Sequence, residues 1–366
     1  MKKLTAPYLM IGSSQTCPNI RYLTRFNVTD NVVVMYTGKE TFLIVSDLEY
    51  GRAVKEAKDC VVESPDTLKL TGTNRYNLAE WALSILQKHN YKSVDVNGDF
   101  PLRPTRSLEK SGITINIPDV NAISELRAIK SEYEIECITH VQNAARNAMR
   151  AVGLAIKNST VNARGELVWQ DKILTSERAK EIVRNEVLKS GCVDKDTIIA
   201  GGNQAVNPHE TGSGPLKTRE WIVCDIFPYS LGTGYWGDMT RTFMNGTPSK
   251  EQRHIYNTVA KAQKLALAKI KAGVNGATVH KLVKKVFTDE GFDTFVKSDG
   301  IPQGFFHGTG HGVGLEIHEN PRIANSEQKL KAGMVVTVEP GLYYTDIGGV
   351  RIEDTVVVQK DGVKIL

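Results

Sequence analysis

Two pairs of carboxylates set in strand-like sequence constrain this chain more than any other feature, and the first pair is Asp225 and Asp238. Asp225 follows the apolar run Trp221–Cys224, whereas Asp238 opens the strand-like run Met239–Phe243. The residues between these runs include three glycines, which favour a turn. The pattern therefore predicts a hairpin whose paired strands direct both carboxylates toward one point.

The second pair is Glu339 and Glu353. Glu339 ends the apolar run Met334–Val338, Glu353 lies inside a later β-rich run that starts at Val350, and glycines again separate the runs. Arg351 stands two residues before Glu353, so the two side chains share one face if this segment is a strand. A second hairpin would bring these carboxylates together. Because a buried carboxylate is costly unless it is paired or metal-bound, four of them on two hairpins indicate a metal site.

Three of the chain's eight histidines, His307, His311 and His318, lie close together and are separated by glycines. These glycines do not form a dinucleotide-binding loop, because that fingerprint needs a preceding strand and a following helix. One imidazole and four carboxylates suit a pair of divalent ions such as manganese, cobalt or zinc, and oxygen-rich ligation argues against a thiolate-type structural zinc site. Two such ions lower the pKa of a shared water and polarise a carbonyl, as amide hydrolysis requires.

The rest of the sequence predicts two units. Residues 1–122 are expected to form an α/β unit, with a hairpin at 32–45 and a helix that begins at the N-cap Asn77. Residues 123–366 begin with a long helix, marked by the capping box of Ser131 and Glu134. Further helices are predicted at 177–190, 250–271 and 277–290, and strands at 196–200, 220–227, 235–244, 333–339 and 350–358. Helices interspersed with hairpins predict an α+β fold with an antiparallel sheet.

Charge and cysteine content bear on partners and compartment. The 46 Lys and Arg are spread among 41 Asp and Glu, so a solvated surface is expected and no nucleic-acid interface. Five scattered cysteines without C-x-x-C spacing predict reduced thiols and a cytoplasmic protein. The start Met1–Lys3 resembles an export signal, but Thr5 and Pro7 interrupt the apolar run. No stretch reaches the roughly 18 apolar residues that span a bilayer, so no membrane contact is expected.

Four ordered blocks resemble the metal-binding blocks of the pita-bread metallopeptidases, in particular the Xaa-Pro peptidases (aminopeptidase P and prolidase). The blocks are Asp225 with Gly237–Phe243, His307–His318, Gly333–Tyr343 and Gly349–Asp354. Asn19–Phe26 is similar to the start of a creatinase-type N-terminal domain, and Ile129–Glu136 to the first helix of the catalytic domain. The resemblance implies a creatinase-like α/β domain at residues 1–122 and a pita-bread catalytic domain, a curved antiparallel sheet with helices, at residues 123–366.

The resemblance also implies a role for each matching residue. The metal ligands would be Asp225, Asp238, His311, Glu339 and Glu353. Asp225 would bind one ion with both oxygens, while Asp238 and Glu353 would bridge the two ions. Glu339 would also act as the general base. The residues that contact or surround the substrate would be His209, His307, His318, Tyr343 and Arg351. Of these, His209 and His318 would be catalytic, holding the substrate and stabilising the tetrahedral intermediate.

The resemblance implies hydrolysis of the peptide bond between an N-terminal residue and proline. The nucleophile would be a hydroxide that bridges two divalent ions, and manganese is the expected metal. Short proline-containing peptides are the expected partners, and the family implies a homodimer. Phe227 stands where the family has a small residue, which leaves substrate preference open. The segment between Asp225 and Asp238 is about two residues longer than is usual in the family. An insertion of an even number of residues at a hairpin turn leaves both carboxylates on the same face of the sheet.

Other proteins with this fold are alternatives. A catalytically inactive binding protein would have lost the metal ligands, and a creatinase-like C–N hydrolase would not need them, so the five ligands argue against both. A methionine aminopeptidase has the same ligand pattern but typically lacks an N-terminal domain like residues 1–122. The metal ligands and motifs do not distinguish an aminopeptidase P from a prolidase. The length of 366 residues favours a prolidase-sized enzyme.

Overall fold

The computed structural model of the chain describes residues 6–119 and 121–366, and the chain divides into two compact units, Met1–Arg127 and Ala128–Leu366. The Met1–Lys3 start, considered above as an export signal, lies outside the described residues. The boundary predicted between residues 122 and 123 falls within the helix Ala122–Ala128. None of the described helices is both long and apolar enough to cross a bilayer.

The first unit contains a six-stranded mixed sheet in the order β4-β3-β2-β1-β5-β6. Its strands are β1 Tyr8–Gly12, β2 Val32–Tyr36, β3 Thr41–Ile44, β4 Val61–Glu63, β5 Ser93–Asp95 and β6 Thr114–Asn116. Its helices are α1 Pro18–Thr24, α2 Asp47–Glu56, α3 Leu78–Lys88, α4 Leu102–Lys110 and α5 Ala122–Ala128, with a 3-10 turn at Gly72–Tyr76. The predicted hairpin is confirmed by the antiparallel pairing of β2 with β3. The predicted cap is also confirmed, since the Asn77 side chain accepts a hydrogen bond from the Ala79 amide.

The helices of the second unit follow the capping signals in the sequence. They are α6 Glu132–Asn158, α7 Ser176–Leu188, α8 Lys250–Lys269 and α9 Gly276–Asp289, with a 3-10 turn at Gly202–Val206. Both predicted capping boxes form, at Ser131 with Glu134 and at Ser249 with Gln252. Each box satisfies main-chain amides that the first helical turn leaves without intrahelical partners. All four helix predictions are therefore confirmed.

The strands of the second unit pair antiparallel throughout the described residues, which confirms the α+β prediction. They are β7 Thr160–Val161, β8 Leu167–Trp169, β9 Lys172–Ile173, β10 Cys192–Val193, β11 Ile198–Gly201, β12 Ile222–Ile226, β13 Tyr229–Ser230, β14 Met239–Phe243, β15 Phe295–Val296, β16 Pro302–Gln303, β17 Gly310–Gly312, β18 Glu319–Ile323, β19 Val335–Val338, β20 Gly341–Tyr344, β21 Gly348–Arg351, β22 Asp354–Val358 and β23 Val363–Ile365. Two sheets matter for the site: β11-β12-β14 and β18-β17-β19-β22-β23.

The first predicted carboxylate hairpin is confirmed by the pairing of β12 with β14, in which Asp225 lies opposite Thr240. Asp238 is two residues before Thr240, so both carboxylates project from one face of the sheet. The neighbours Cys224 and Ile226 project from the other face and pack in a core shared with α6. The strand is shorter than predicted, since it begins at Met239 and leaves Asp238 just outside it.

The second predicted hairpin is also confirmed, but it is interrupted where its carboxylates stand. The hairpin consists of two paired segments, β19 with β22 and β20 with β21, and both segments have the same residue register. Pro340 has no amide to donate, and the Glu339 and Glu353 amides donate outside the hairpin, to the carbonyls of Thr309 and Thr240. The predicted strand 350–358 is therefore split at Ile352 and Glu353. This break places the Glu339 and Glu353 carboxylates at the junction between the β11-β12-β14 sheet and the β18-β17-β19-β22-β23 sheet.

Candidate metal centre

The predicted site residues come together in one cavity of about 590 Å³ in the second unit. All of them except Tyr343 line it: Asp225, Asp238, His311, Glu339, Glu353, His209, His307, His318 and Arg351. These residues lie on six separate segments, spread over more than a hundred positions of the chain. The cavity therefore brings together the predicted ligands from all four sequence blocks.

Three of the five predicted metal ligands lie close enough together to hold one ion. Ligand atoms of Asp238, His311 and Glu353 are all within 4.8 Å of one another, and all three residues are buried. The Nε2 atom of His311 is 3.1 Å from Glu339 Oε1 and 3.6 Å from Asp238 Oδ2. The other ring nitrogen, Nδ1, is 3.1 Å from the Gly312 carbonyl oxygen. That contact directs Nε2 toward the carboxylates in the tautomer a metal ligand needs.

Threonines on the paired strands hold the carboxylates in place. The Thr240 hydroxyl donates to Glu353 Oε2 at 2.8 Å. The Thr337 hydroxyl donates to Glu339 Oε1 at 3.1 Å and accepts from the His311 amide at 3.0 Å. Both threonines are fully buried. A metal site depends on the groups that orient its ligands. These two hydroxyls fix the orientation of the Glu353 and Glu339 carboxylates.

A chain of hydrogen bonds closes one side of the cavity. The Arg351 guanidinium donates to Asp225 Oδ2 at 2.8 Å through Nη2 and to the Tyr343 hydroxyl at 2.8 Å through Nη1. The Tyr343 hydroxyl lies 2.9 Å from His307 Nε2, and His307 Nδ1 lies 2.7 Å from the Gly308 carbonyl. Since Nδ1 must donate to that carbonyl, Nε2 accepts from Tyr343. Tyr343 is fully buried behind the wall, where it holds Arg351 and His307 in place.

Burial and mutual repulsion dominate the electrostatics. Burial, together with the charges of Glu353 and Asp225, raises the pKa of Asp238 well above its usual value. Burial and the charges of Glu339 and Asp225 do the same to the pKa of Glu353. Burial also acts to raise the pKa of Glu339, but its hydrogen bond with His311 and the charge of that ring outweigh burial and lower the pKa to about 2. The cluster thus holds more negative charge than its neighbours neutralise.

Two oxygens show that the residues fit a pair of divalent cations. Asp225 Oδ1 and Glu353 Oε1 are buried and have no hydrogen-bond partner among the described residues. A buried carboxylate oxygen without a donor is costly, and bound cations remove that cost. Carboxylate oxygens with one imidazole suit manganese, cobalt or zinc, in agreement with the donor types predicted from the sequence.

Two histidines beside the cluster, His307 and His318, are neutral near pH 7. Burial, and to a lesser extent the charge of Arg351, lowers the pKa of His307 to about 4. Burial and the neighbouring His311 likewise lower the pKa of His318 to about 4, and the two rings stand edge to face at 4.4 Å. His209 is exposed at the cavity mouth. A neutral imidazole can both donate and accept hydrogen bonds, which suits contact with a peptide carbonyl.

Arg322 is a residue of the cavity that none of the sequence motifs marks. This exposed residue lines the cavity and lies opposite His311 in the pairing of β17 with β18. None of the ion pairs between described residues involves its guanidinium group. A register shift follows His311 in this pairing, so residue spacing alone could not have placed Arg322 beside the site.

His280 was also unassigned by the sequence motifs. It is buried on α9, and its Nδ1 atom is 2.9 Å from the Thr309 hydroxyl. The Thr309 carbonyl in turn accepts the Glu339 amide at 2.8 Å. His280 therefore supports the glycine-rich histidine segment from behind. A lone histidine on an apolar helix face carries no sequence signal for that contact.

Comparisons with known proteins agree with this geometry. The sequence pattern of metallopeptidase family M24 matches residues 136–360. The chain is 32% identical over 365 residues to an Xaa-Pro dipeptidase of Pyrococcus furiosus, covering 95% of this chain and 90% of that protein. Its structure is similar to that of the prolidase from Pyrococcus furiosus, with a TM-score of 0.78 and 27% identity over 98% of this chain and 95% of that one. It is also similar to an Xaa-Pro dipeptidase from Bacillus anthracis, with a TM-score of 0.81 and 26% identity over 98% and 92% of the two chains.

Proposed function

The chain belongs to metallopeptidase family M24, with the pita-bread fold that its four blocks predict, and from that premise we propose that it is an Xaa-Pro dipeptidase dependent on two divalent ions. The observation that carries the proposal is the convergence of five proposed ligand residues and Arg322 in a single cavity. We further propose that residues 1–122 form a creatinase-like domain and residues 123–366 the catalytic domain, which the two compact units support. The homodimer and the cytoplasmic location stay predictions.

Five residues that line the cavity would hold the two ions: Asp225, Asp238, His311, Glu339 and Glu353. Manganese is the proposed metal, and cobalt and zinc suit the same donors. Two ions bound there would lower the pKa of a coordinated water and polarise the peptide carbonyl.

The protein's own residues then carry the proton and position the peptide. The pKa of Glu339 is about 2 in the metal-free protein, so this group is ionised near pH 7 and its carboxylate can accept a proton from the attacking water. His209 and His318 line the cavity, where each can donate a hydrogen bond to the carbonyl oxygen that becomes negative. His307 and Arg351, held by Tyr343, form a rigid wall against which a proline ring can pack.

Arg322 supports a dipeptide as the substrate. A dipeptide has a free carboxylate on its proline, and Arg322 is a cation in the cavity without a carboxylate partner among the described residues. We expect Arg322→Gln to raise the KM for an Xaa-Pro dipeptide roughly 10- to 100-fold, the effect of losing one charged hydrogen bond. The measurement is steady-state kinetics of both proteins with two manganese ions bound.

The same kinetics with an Xaa-Pro amide provide the control, because that substrate has no terminal carboxylate. Arg322→Gln should leave its kcat/KM within about twofold of wild type, and Arg322→Lys should retain part of the dipeptide affinity. An equal loss for dipeptide and amide would contradict the role given to Arg322 in binding the carboxylate.

A substrate panel tests the proposed function as a whole. Manganese-loaded protein is incubated with Xaa-Pro dipeptides, Xaa-Pro-Xaa tripeptides, Met-Ala-Ser and creatine, and the products are separated by chromatography. Cleavage of the dipeptides alone is expected. Release of the N-terminal residue from tripeptides alone would indicate an aminopeptidase P, and no cleavage of any proline peptide by metal-loaded protein would contradict the substrate assignment.

A further inference from the structure

Both main-chain polar groups of Asp238 are bound by one side chain from a distant helix. The Gln142 side chain, on α6, donates from Nε2 to the Asp238 carbonyl at 2.7 Å. Its Oε1 atom accepts from the Asp238 amide at 2.9 Å. Gln142 is fully buried, and it does not line the cavity of the metal centre.

The position of Asp238 explains why such a contact is needed. Asp238 lies one residue before β14, beyond the last pair of the β12–β14 ladder, which joins Ile226 to Met239. Its amide and carbonyl therefore lack a neighbouring strand and would be costly to bury unpaired. A glutamine amide presents one donor and one acceptor, as a peptide unit of an adjacent strand does. Gln142 thus takes the place of the missing strand at this position.

Two further features adapt the chain to this contact. The Thr355 hydroxyl donates a second hydrogen bond, of 2.8 Å, to the Asp238 carbonyl. Gly237 allows the close approach of α6, because a Cβ atom at this position would lie 3.0 Å from both the amide nitrogen and Oε1 of Gln142. Three hydrogen bonds from two side chains therefore hold the Asp238 backbone.

We infer that Gln142 is a positioning residue for the metal centre, which it serves by fixing the backbone of Asp238 so that the carboxylate faces His311 and Glu353. This inference rests on the proposed role of Asp238 as a ligand shared by both ions. Ligand atoms of Asp238, His311 and Glu353 lie within 4.8 Å of one another, so a shift of the Asp238 backbone would move its carboxylate away from the other two side chains. The two hydrogen bonds from Gln142 oppose that shift and so keep the carboxylate within reach of a shared cation.

The test is the affinity of Gln142→Met for Mn²⁺, measured by isothermal titration calorimetry on chelator-treated protein. Methionine has a similar length and no hydrogen-bonding amide. We expect manganese binding to weaken about 10- to 100-fold, the usual effect of losing a residue that orients a ligand. At saturating Mn²⁺ the kcat should return to within a few-fold of wild type, since Gln142 touches neither substrate nor ion.

Asn245→Leu is the matched control. Asn245 is also a buried amide that donates to main-chain carbonyls, those of Ile156 at 2.9 Å and Ser159 at 3.0 Å, but it contacts no proposed ligand. Its replacement should lower the melting temperature and leave the Kd for Mn²⁺ unchanged. Wild-type manganese affinity in Gln142→Met, with or without a lower melting temperature, would overturn the inference.

A second variant keeps the test decisive if Gln142→Met does not fold. Gln142→Glu retains the length and the acceptor for the Asp238 amide but loses the donor to its carbonyl, and it too should bind Mn²⁺ more weakly. Unchanged affinity in Gln142→Glu would likewise overturn the inference. A wild-type protein that binds no Mn²⁺ would instead contradict the proposed function, so the two failures are distinguishable.

Discussion

Asp238→Asn is expected to abolish the metal-dependent activity and, at the same time, to stabilise the metal-free protein at neutral pH. Asp238 lies with His311 and Glu353 in the group of ligand atoms within 4.8 Å of one another. Loss of a ligand should cost more than loss of a residue that orients one, so we expect activity at a fixed Mn²⁺ concentration to fall by more than about 100-fold. The measurements are Mn²⁺ titration calorimetry and dipeptide hydrolysis.

The gain in stability has a definite sign and pH range. Burial and the charges of Glu353 and Asp225 raise the pKa of Asp238 in the folded, metal-free protein well above its usual value, which is about 4 in an unfolded chain. A group with a raised pKa lowers stability as pH rises above the unfolded value. Metal-free wild type should therefore lose stability from about pH 4 to neutral, and Asp238→Asn should lose less.

Thermal denaturation with and without Mn²⁺ across this pH range checks both effects. Mn²⁺ should raise the melting temperature of the wild-type protein strongly. It should raise the melting temperature of Asp238→Asn only slightly. The control is Asp289→Asn, because Asp289 is exposed on α9, where it pairs with Lys285 at 2.8 Å. A metal-free Asp238→Asn protein that is less stable than wild type at pH 7 would contradict the electrostatic account of the cluster.

Glu339→Gln is expected to lower kcat for an Xaa-Pro dipeptide about 10²- to 10⁴-fold, the usual contribution of a general base. The carboxylate is held 3.1 Å from His311 Nε2 and 3.1 Å from the Thr337 hydroxyl, so glutamine of the same shape should preserve the position but cannot accept the proton. The charge change will also weaken metal binding. The kinetics are therefore measured at saturating Mn²⁺, with metal content determined in parallel.

A kcat within tenfold of wild type in Glu339→Gln protein that holds two ions would contradict its role as the base. The matched control is Glu327→Gln, since Glu327 is exposed and its contact is with Asn275 at 3.2 Å. This control should keep wild-type kcat and metal content. The lowered kcat of Glu339→Gln should also persist at every pH where the protein is folded. Glutamine cannot accept a proton at any of these pH values, so a change of pH cannot restore the base.

The parts of the fold that local sequence determines were predictable. Capping residues placed the starts of α3, α6 and α8, since the contacts involved lie within a few residues of one another. Alternation along the first hairpin placed Asp225 and Asp238 on one face of the sheet.

Contacts between distant segments were not predictable from one sequence. Gln142 and Asp238 are 96 residues apart, and nothing in a helical run marks one glutamine as the partner of a strand end. Pro340 interrupts the second hairpin, so the continuous strand expected over 350–358 is split beside Glu353. The motif placed Tyr343 in the region that lines or surrounds the proline site, but it could not show that the Tyr343 hydroxyl binds both Arg351 and His307.

The most direct test of the central claim is a Mn²⁺ titration of chelator-treated protein, with hydrolysis of an Ala-Pro dipeptide as the readout. The five proposed ligands should make the activity negligible without metal and bring it to a plateau at two equivalents of Mn²⁺. Full activity in the chelator-treated protein, or no hydrolysis once two ions are bound, would contradict the account of this protein as a two-metal Xaa-Pro dipeptidase.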